Sequence, residues 1–423
     1  MSTTLVILGG LGDLATRYLI PALAELHRSG ALPEDLRVIG VARRDLDTAD
    51  YRNQLWDDAV EQGVDQNGFD VVLDLVRYAR ADATDPAQLG RLDLPDQGSI
   101  VFYLALPPAI FAEVFTAITA LGLGDRVRVA VEKPFGEDLD SARELNQLLD
   151  DCFSDDRVFR VDHFLGHPSI RRLPRLRATS LFASIWDARH LESIEVVWDE
   201  TIALEGRAGY YDHTGALRDM LQNHLLQVLA VAAMEPADDP GGDDVASARL
   251  DVLRRVEARP ETSVRARYTA GAIDGEMVPA YVDEPDVDPD RGTETLAEVE
   301  LEIDSSRWMG TAVRLRSGKA LGDDRRCVVL RARDSDDQMV LGLAPASISL
   351  RVGDMTLRSL PAAPEPSAYA RVLADLFAGD RRWFVSGAEA EEQWRIVAPV
   401  LERWSRGEPE LGEYPAGSQG IVG

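Results

Sequence analysis

The chain has little lysine and little cysteine, and it has no long apolar run. Of its 45 basic residues only Lys133 and Lys319 are lysines. Its two cysteines, Cys152 and Cys327, are far apart and lack the spacing of redox or zinc motifs, which predicts neither a disulfide framework nor a bound metal. No window holds the roughly 18 apolar residues of a membrane span, and the N-terminus lacks a basic segment followed by an apolar one. We therefore expect a cytoplasmic protein with no membrane segment.

Positive charge is also scarce. The 73 acidic residues outnumber the 45 basic ones and give a formal net charge of -28. Nucleic-acid binding needs a basic surface that neutralises phosphates, so the composition argues against a nucleic-acid partner. Because all the other residues among these 45 are arginines, the two lysines indicate places that need a compact ammonium group.

Length and periodicity predict two domains, 1–162 and 163–423. A chain of 423 residues exceeds what one hydrophobic core normally supports. In the first domain strand-like runs alternate with helical ones, which predicts a doubly wound parallel sheet of the dinucleotide-binding (Rossmann) type. In the second we expect α+β structure with a large, mainly antiparallel sheet and helices. The predicted strands are 3–8, 37–42, 100–106, 127–131, 158–161, 194–197, 264–268, 298–303, 312–316, 328–332 and 348–352, with helices at 13–27, 109–121, 141–149 and 215–234 and an Asp/Pro/Gly-rich loop at 236–244.

A tight turn joins the first predicted strand to the first helix. Its sequence, Gly10-x-Gly12-x-x-Ala15, has the setting that a dinucleotide fingerprint requires. Glycine lets the backbone approach a pyrophosphate, and the helix N-terminus adds free N–H groups and partial positive charge. A tight turn that binds no nucleotide is the alternative.

The end of the second predicted strand bears on the choice of cofactor. Arg43 and Arg44 stand where an NAD-binding protein has an acidic residue, which favours the 2′-phosphate of NADP. Asp45 and Asp47 lie close enough to leave NAD open.

Polar or rigid residues follow directly on three predicted strands. These are Pro107, Lys133 and the pair Asp162-His163. Ligands of open parallel sheets bind outside the carboxyl ends of the strands, so we expect these residues at the dinucleotide crevice. His224 lies on the apolar face of helix 215–234, where a core histidine is the alternative, but several polar residues surround it on the same helix.

Several segments along the chain form one recognisable set: Gly9 to Ala15 (GGLGDLA), Phe102 to Pro108 (FYLALPP), Val131 to Gly136 (VEKPFG), Val161 to Gly166 (VDHFLG), Glu205 to Asp212 (EGRAGYYD), Arg218 to Gln227 (RDMLQNHLLQ), Thr293 to Thr295 (TET), Arg307-Trp308 and Leu315 to Leu321 (LRSGKAL). Taken together, these segments resemble the glucose-6-phosphate dehydrogenase family. The resemblance covers nearly the whole chain in the family's order, and both lysines fall inside family motifs.

The resemblance implies an NAD(P)-dependent enzyme that oxidises C1 of glucose 6-phosphate to 6-phosphoglucono-1,5-lactone, the first step of the pentose phosphate pathway. It implies NADP as cofactor, with NAD possible, and a homodimer or homotetramer formed through the larger domain's sheet. His224 resembles the general base and Asp162 its carboxylate partner, which fixes the imidazole tautomer and stabilises the imidazolium. The implied substrate ligands are Lys133, His163, Glu200, Asp219 and Lys319, and the implied cofactor contacts are Gly9, Gly10, Gly12, Asp13, Leu14, Arg43, Pro107 and Lys133.

Two departures from the family pattern affect the predicted phosphate site. The family's D-H-Y-L-G-K appears here with Phe164 and His167 in place of tyrosine and lysine, and its V-Q-P reads Leu343-Ala344-Pro345. A protonated His167 is expected to restore the lost charge, with Arg171 or Arg172 as the alternative. The departures leave open a dehydrogenase of the same fold acting on another C6-substituted or free pyranose. A non-catalytic regulatory paralogue is the rival from a different class.

Overall fold

The computed structural model describes residues 2–204, 206, 208–236, 244–359 and 365–421. The chain forms two compact units, one of Met1–His167 with Glu365–Gly387 and one of Pro168–Pro364 with Ala388–Gly423. The motif residues Glu205 and Arg207, and most of the predicted loop 236–244, lie outside the described residues. Among the described residues, no helix has the length and apolar composition needed to cross a bilayer.

The first unit is built on a parallel sheet, as predicted, but it has six strands where the sequence predicted five. Every neighbouring pair is parallel, and β-branched and aromatic residues fill the strands because helices cover both faces. The strands are β1 (Thr3–Leu8), β2 (Leu36–Ala42), β3 (Val76–Arg80), β4 (Ser99–Leu104), β5 (Val127–Glu132) and β6 (Val158–Val161), in the spatial order β3-β2-β1-β4-β5-β6. Its helices are Ile20–Arg28, Thr48–Glu61, Phe69–Leu75, Pro86–Leu89, Phe111–Ala120, Leu139–Cys152 and Ala368–Ala378, with a π-helical turn at Ala15–Leu19.

A segment from late in the chain completes the first unit. Helix Ala368–Ala378 contributes Leu373 and Leu376 to the core that surrounds β1. Arg128 of β5 donates to the carbonyls of Leu376 and Phe377, at 3.0 and 2.9 Å, and so caps the end of this helix. The predicted division at residue 162 differs from the observed one in omitting this segment and in placing 163–167 with the second domain.

The second unit contains a large mixed sheet. Most of its pairs are antiparallel, but β7 and β13, and β9 and β18, are parallel. The strands are β7 (Leu191–Asp199), β8 (Val256–Ala258), β9 (Val264–Thr269), β10 (Gly271–Ile273), β11 (Glu276–Val278), β12 (Leu296–Ile303), β13 (Ala312–Gly318), β14 (Arg325–Ala332), β15 (Gln338–Gly342), β16 (Ser347–Val352), β17 (Met355–Ser359) and β18 (Gly412–Pro415). The spatial order is β17-β16-β15-β14-β7-β13-β12-β9-β18, with β8 paired to β12 and β10 to β11 as a separate hairpin.

The helices of the second unit include the one that carries His224. That helix was predicted as one piece over 215–234, and this is wrong at its start, because Gly215 has a non-helical conformation (φ 69°, ψ 170°) that ends a preceding helix. We call the π-helix Leu217–Leu225 and the α-helix Leu226–Ala233 together the His224 helix. The other helices are Pro168–Ala178, Ser180–Ala183, Ala208–Ala216, Asp244–Leu253 and Gly387–Ser405.

Candidate active site

The glycine turn after β1 is closely packed against its neighbouring strands. A Cβ atom on Gly9 would lie 2.1 Å from the carbonyl oxygen of Ala105, and one on Gly10 would lie 2.8 Å from the Cα of Gly40. Gly12 is exposed, and its missing side chain leaves the start of the following helix open. Asp13 is exposed beside it, and Leu14 is half-buried at the first turn. This open helix start fits the pyrophosphate of a dinucleotide.

Arg43 follows β2 and is exposed. The two acidic residues that left NAD open both have other partners. Asp45 lies 3.3 Å from Arg80, and Asp47 caps helix Thr48–Glu61 by accepting from the Asp50 N–H at 2.8 Å. Because both carboxylates have other partners, the exposed guanidinium of Arg43 suits a phosphate at this strand end.

Pro107, Lys133 and Asp162 lie along one edge of the first sheet. They follow the neighbouring parallel strands β4, β5 and β6, whose carboxyl ends share that edge. Pro107 is exposed, Lys133 is half-buried and Asp162 is buried. Asp162 accepts from the Phe164 N–H at 2.9 Å, and burial raises the pKa of its carboxyl against the lowering effect of His163.

A carboxyl group beside Lys133 was not among the predicted site residues. Tyr103 donates to Glu132 at 2.5 Å, and Tyr369 is a second hydrogen-bond partner of the same carboxyl. Burial raises the pKa of Glu132 to about 7, while the bond from Tyr103 and the charge of Lys133 lower it. Glu132 stands next to Lys133 in the motif Val131 to Gly136, so its position could have been noted from the sequence. Tyr369 could not, because it belongs to the segment 365–387, which returns to the first unit from late in the chain.

His163 and His167 are close to each other in the first unit. Their ring centroids lie 6.4 Å apart, and the ring of His163 is stacked on Tyr369 at 5.3 Å with an interplanar angle of 8°. Phe164, which replaces the family tyrosine, is buried and contacts the His167 ring at 5.4 Å. The alternatives Arg171 and Arg172 lie in the second unit, on helix Pro168–Ala178.

In the second unit Glu200 and Lys319 form an ion pair. They are the residues directly after the parallel strands β7 and β13, whose last residues Asp199 and Gly318 are paired in register. Lys319 Nζ lies 2.8 Å from Glu200 Oε2. Trp198 Nε1 donates to the other carboxylate oxygen at 3.2 Å, and Arg326 Nη2 lies 3.5 Å from it. The sequence had indicated neither Trp198 nor Arg326.

His224 and Asp219 share one side of the π-helix Leu217–Leu225. A π-helix closes hydrogen bonds between residues five apart, and these two residues are five apart. Their neighbour Tyr211 is buried, with Lys319 Nζ 5.4 Å from its ring centroid. Burial, and then the negative charge of Asp219, raise the pKa of the Tyr211 hydroxyl well above its ordinary value. Tyr211 thus joins the Lys319 and Asp219 sites, although only its motif and not its role was noted.

The predicted residues fall into two sets. The first unit holds the predicted cofactor contacts with Asp162, His163 and His167, and the second unit holds Glu200, Asp219, His224 and Lys319. His224 is buried, at 1% exposure, as either a base in a closed site or a core histidine would be. The pairing of Asp162 with His224 stays a prediction.

Comparison with protein families gives two matches that together span nearly the whole chain. A family described as "Glucose-6-phosphate dehydrogenase, NAD binding domain" matches residues 6–171. A second, "Glucose-6-phosphate dehydrogenase, C-terminal domain", matches residues 175–362 and 344–422.

Individual proteins are similar over the same extent. "Glucose-6-phosphate 1-dehydrogenase 2" of Mycobacterium tuberculosis is 35% identical, over 98% of this chain and 91% of that one. The crystal structure of glucose-6-phosphate 1-dehydrogenase from Mycobacterium avium has a TM-score of 0.87 at 34% identity, covering 99% of this chain and 95% of that one. A glucose-6-phosphate dehydrogenase solved in complex with glucose-6-phosphate has a TM-score of 0.89 at 28% identity, covering 100% and 96%.

Proposed function

This chain belongs to the glucose-6-phosphate dehydrogenase family, and we propose how its own residues carry out the reaction of that family. The chain is an oxidoreductase that acts on a CH–OH donor, glucose 6-phosphate, with a nicotinamide cofactor, NADP. The observation that carries this conclusion is the match of both family domains across residues 6–171 and 175–422.

His224 is the proposed general base. When bound, the oxidised nicotinamide would supply the acceptor for the hydride that C1 releases. The C1 hydroxyl loses its proton to the imidazole, and C1 becomes the carbonyl of the 1,5-lactone. A base is needed because the alcohol itself is a weak acid, whereas neutral imidazole accepts protons near neutral pH.

Asp162 is the proposed partner of His224. A carboxylate beside the imidazole selects the tautomer whose free nitrogen accepts the proton, and it stabilises the imidazolium that forms. The bond from the Phe164 N–H supports this role, because it holds one oxygen of Asp162 in a fixed position.

Glu200, Asp219 and Lys319 are the proposed ligands of the sugar. The ion pair of Lys319 with Glu200 supports this role: each group holds the other in place, and Trp198 orients the carboxylate. Carboxylates accept hydrogen bonds from hydroxyl groups, which makes Glu200 and Asp219 suitable for the sugar's hydroxyls. Lys133 is proposed to serve both the sugar and the cofactor.

His163 and His167 are proposed to hold the phosphate. Their rings lie close enough for both to reach one dianion, and the stacking of His163 on Tyr369 restricts its ring. For the cofactor, the proposed contacts are Gly9, Gly10, Gly12, Asp13, Leu14, Arg43 and Pro107, and the exposure of Arg43 supports its contact with the 2′-phosphate of NADP.

Assembly and location are also proposed. We infer a homodimer or homotetramer formed through the sheet of the second unit, because β16 and β17 expose Val352, Met355 and Leu357. Light scattering of the purified chain tests this, and a monomer at micromolar concentration would contradict it. A cytoplasmic location is supported by the two unpaired cysteines and is tested by cell fractionation.

A substrate panel tests the function. The purified chain is mixed with NADP or NAD and with glucose 6-phosphate, free glucose, glucosamine 6-phosphate or a 6-sulfo sugar, and reduced cofactor is followed by absorbance. We expect the highest kcat/KM with glucose 6-phosphate and NADP. Higher kcat/KM with another sugar would assign the altered phosphate motif to that substrate, and no turnover with any sugar would favour the non-catalytic paralogue.

A further inference from the structure

The segment Thr293-Glu294-Thr295, which directly precedes β12, has no role in the reaction described above. We propose that Glu294 is a positioning residue that fixes the start of the His224 helix, and that the same segment holds the turn that carries Lys319. The proposal rests on the proposed roles of His224 and Lys319.

Glu294 meets the start of the His224 helix with both its side chain and its backbone. Its Oε1 accepts from the Leu217 N–H at 2.9 Å, and its carbonyl accepts from the Ala216 N–H at 3.1 Å. Leu217 is the first residue of the π-helix, whose opening N–H groups have no partner within the helix itself. A carboxylate at this end also interacts favourably with the helix dipole.

Gly215 makes room for this contact. A Cβ atom at position 215 would lie 2.5 Å from Glu294 Oε1, and the backbone there (φ 69°, ψ 170°) is one that glycine adopts easily and other residues do not. The two helices are therefore joined by a break that only glycine allows, and the carboxylate fills the space at the break.

Glu294 is buried, and burial raises the pKa of its carboxyl, whereas the Leu217 N–H and the charge of Arg218 lower it. A buried carboxyl is costly unless it has hydrogen bonds, so its presence here indicates that the contact with the helix is needed.

Thr295 holds the backbone of Lys319 in the same way. The Lys319 N–H donates to the Thr295 carbonyl at 2.9 Å. The Thr295 and Tyr414 hydroxyls lie 2.8 Å apart, and the Tyr414 hydroxyl donates to the Lys319 carbonyl at 2.7 Å. One three-residue segment therefore contacts the elements that present the base and the sugar-binding lysine.

The opposite end of the His224 helix is also held by side chains. Trp186 Nε1 donates to the Ala232 carbonyl at 2.9 Å, Trp308 Nε1 donates to the Ala233 carbonyl at 2.7 Å, and Arg177 donates to the carbonyls of Val231 and Met234. These bonds use the carbonyls that the helix end leaves without partners. Because these bonds hold the C-terminal end of the helix, loss of the Glu294 contact is expected to shift the π-helical half, where Asp219 and His224 lie.

A shift of the π-helical half would change the distance between His224 and the C1 hydroxyl of the sugar. A displacement of about 1 Å at a reacting group can cost about 10²-fold in rate. Glu294→Ala removes the acceptor, and we expect kcat with glucose 6-phosphate to fall by about 10- to 100-fold while KM for NADP changes less than about 2-fold. Glu294→Gln keeps an oxygen at the same place, and we expect kcat to return to within about 3-fold of wild type.

A matched control separates positioning from stability. Glu298 is also buried, four residues further along in β12, and its partners are Arg314 and Arg316. Glu298→Ala should lower Tm without lowering kcat. If Glu294 had a purely structural role, Glu294→Ala would give the same result, a lower Tm with kcat unchanged. Should Glu294→Ala fail to fold, Glu294→Asp withdraws the carboxylate from the Leu217 N–H by one methylene group and should show the same direction of change, a lower kcat with KM for NADP retained.

The outcomes are distinct. Glucose 6-phosphate oxidation by wild type, with kcat lowered by Glu294→Ala or Glu294→Asp and restored by Glu294→Gln, supports the proposal. Wild-type kcat in the variant that folds, or an equal loss in Glu298→Ala, overturns it. Failure of the wild-type chain itself to oxidise glucose 6-phosphate would instead refute the proposed function.

Discussion

At the scale of single residues, the two lysines of the chain each lie beside a carboxyl group. Both lysines lie at carboxyl ends of strands, where Lys133 adjoins Glu132 and Lys319 pairs with Glu200. Trp198, Arg326 and Tyr369 could not be found in the same way, because each approaches its site from a strand or helix whose position depends on the whole fold. Residue type and local pattern therefore identify the groups that directly follow a strand, but not the groups that distant segments of the chain bring to the same site.

The role of His224 is tested by replacing it with asparagine. His224→Asn keeps a polar side chain of similar size but cannot act as a base, so kcat should fall by about 10²- to 10⁴-fold with the Kd for NADP nearly unchanged. The exposed His213 on the preceding helix provides the control, since His213→Asn should leave kcat at the wild-type value. Turnover close to wild type in His224→Asn would make it a core histidine.

The role of Arg43 is tested by comparing cofactors. Arg43→Ala should raise KM for NADP about 10-fold or more and KM for NAD little, because only NADP has the 2′-phosphate that the guanidinium can bind. Arg37, exposed toward the start of the same strand, is the matched control. Equal increases in KM for the two cofactors would show that Arg43 does not bind the phosphate.

His167 is predicted to make the affinity for substrate depend on pH. An imidazole has an ordinary pKa of about 6.5 and can bind a phosphate dianion by charge only when protonated, so KM for glucose 6-phosphate should rise between about pH 6 and 8. His167→Lys should lower KM and flatten this dependence, and His167→Ala should raise KM with less effect on kcat. If KM ignores both changes and responds to Arg171→Ala or Arg172→Ala, the phosphate is held by those arginines.

At the scale of elements, most strands of both sheets could be predicted, but an edge strand of the first sheet and the π-helix could not. Runs such as 3–8 and 158–161 are continuous and apolar because parallel strands are buried on both faces, and the observed β1 and β6 have the same bounds. Strand β3 (VRYAR) was missed because three of its five residues are polar or aromatic and it lies at the sheet edge. The π-helical part of the His224 helix was also missed, since its apolar residues fit α-helical spacing as well and π-helices are rare.

A buried ion pair anchors helix Gly387–Ser405 beside the His224 helix. Arg249 Nε lies 2.9 Å from Glu389 Oε1, both side chains have no exposed surface, and Gln227 also donates to Glu389. Glu389→Ala leaves a buried guanidinium without this partner and should lower the free energy of unfolding by about 3–5 kcal/mol in urea titrations. Glu402 pairs with Arg406 at the exposed end of the same helix, and Glu402→Ala should cost less than about 1 kcal/mol. Equal costs would mean that the buried pair does not anchor the helix.

At the scale of the whole molecule, several buried or half-buried carboxyl groups have a raised pKa. Burial is the first cause of a raised pKa in each of them: Glu132, Asp162, Asp199, Glu294 and Glu298. A raised pKa in the folded state means that folding is favoured by protonation, and this contribution is lost as pH rises from the unfolded to the folded pKa. With a net charge of -28, the protein is therefore expected to lose stability as the pH rises from the acidic range toward neutrality.

Glu132 allows this expectation to be measured at one site. Its pKa rises from 4.5 to about 7, so its contribution is present below about pH 4.5 and is lost by about pH 8. Glu132→Gln cannot ionise, and the free energy of unfolding of wild type relative to this variant should therefore fall by on the order of 2 kcal/mol between pH 5 and 8. A constant difference across that range would contradict the assignment.

The most direct test of the activity follows the hydrogen that is transferred. Glucose 6-phosphate deuterated at C1 is incubated with the purified chain and NADP, and the products are examined by NMR and mass spectrometry. We predict one deuterium at C4 of the reduced nicotinamide, an equal amount of unlabelled 6-phosphogluconolactone or its hydrolysis product, and formation of both about 10²- to 10⁴-fold more slowly in His224→Asn. Reduced cofactor without deuterium, or no reduction of NADP by wild type, would contradict the conclusion that this chain oxidises C1 of glucose 6-phosphate.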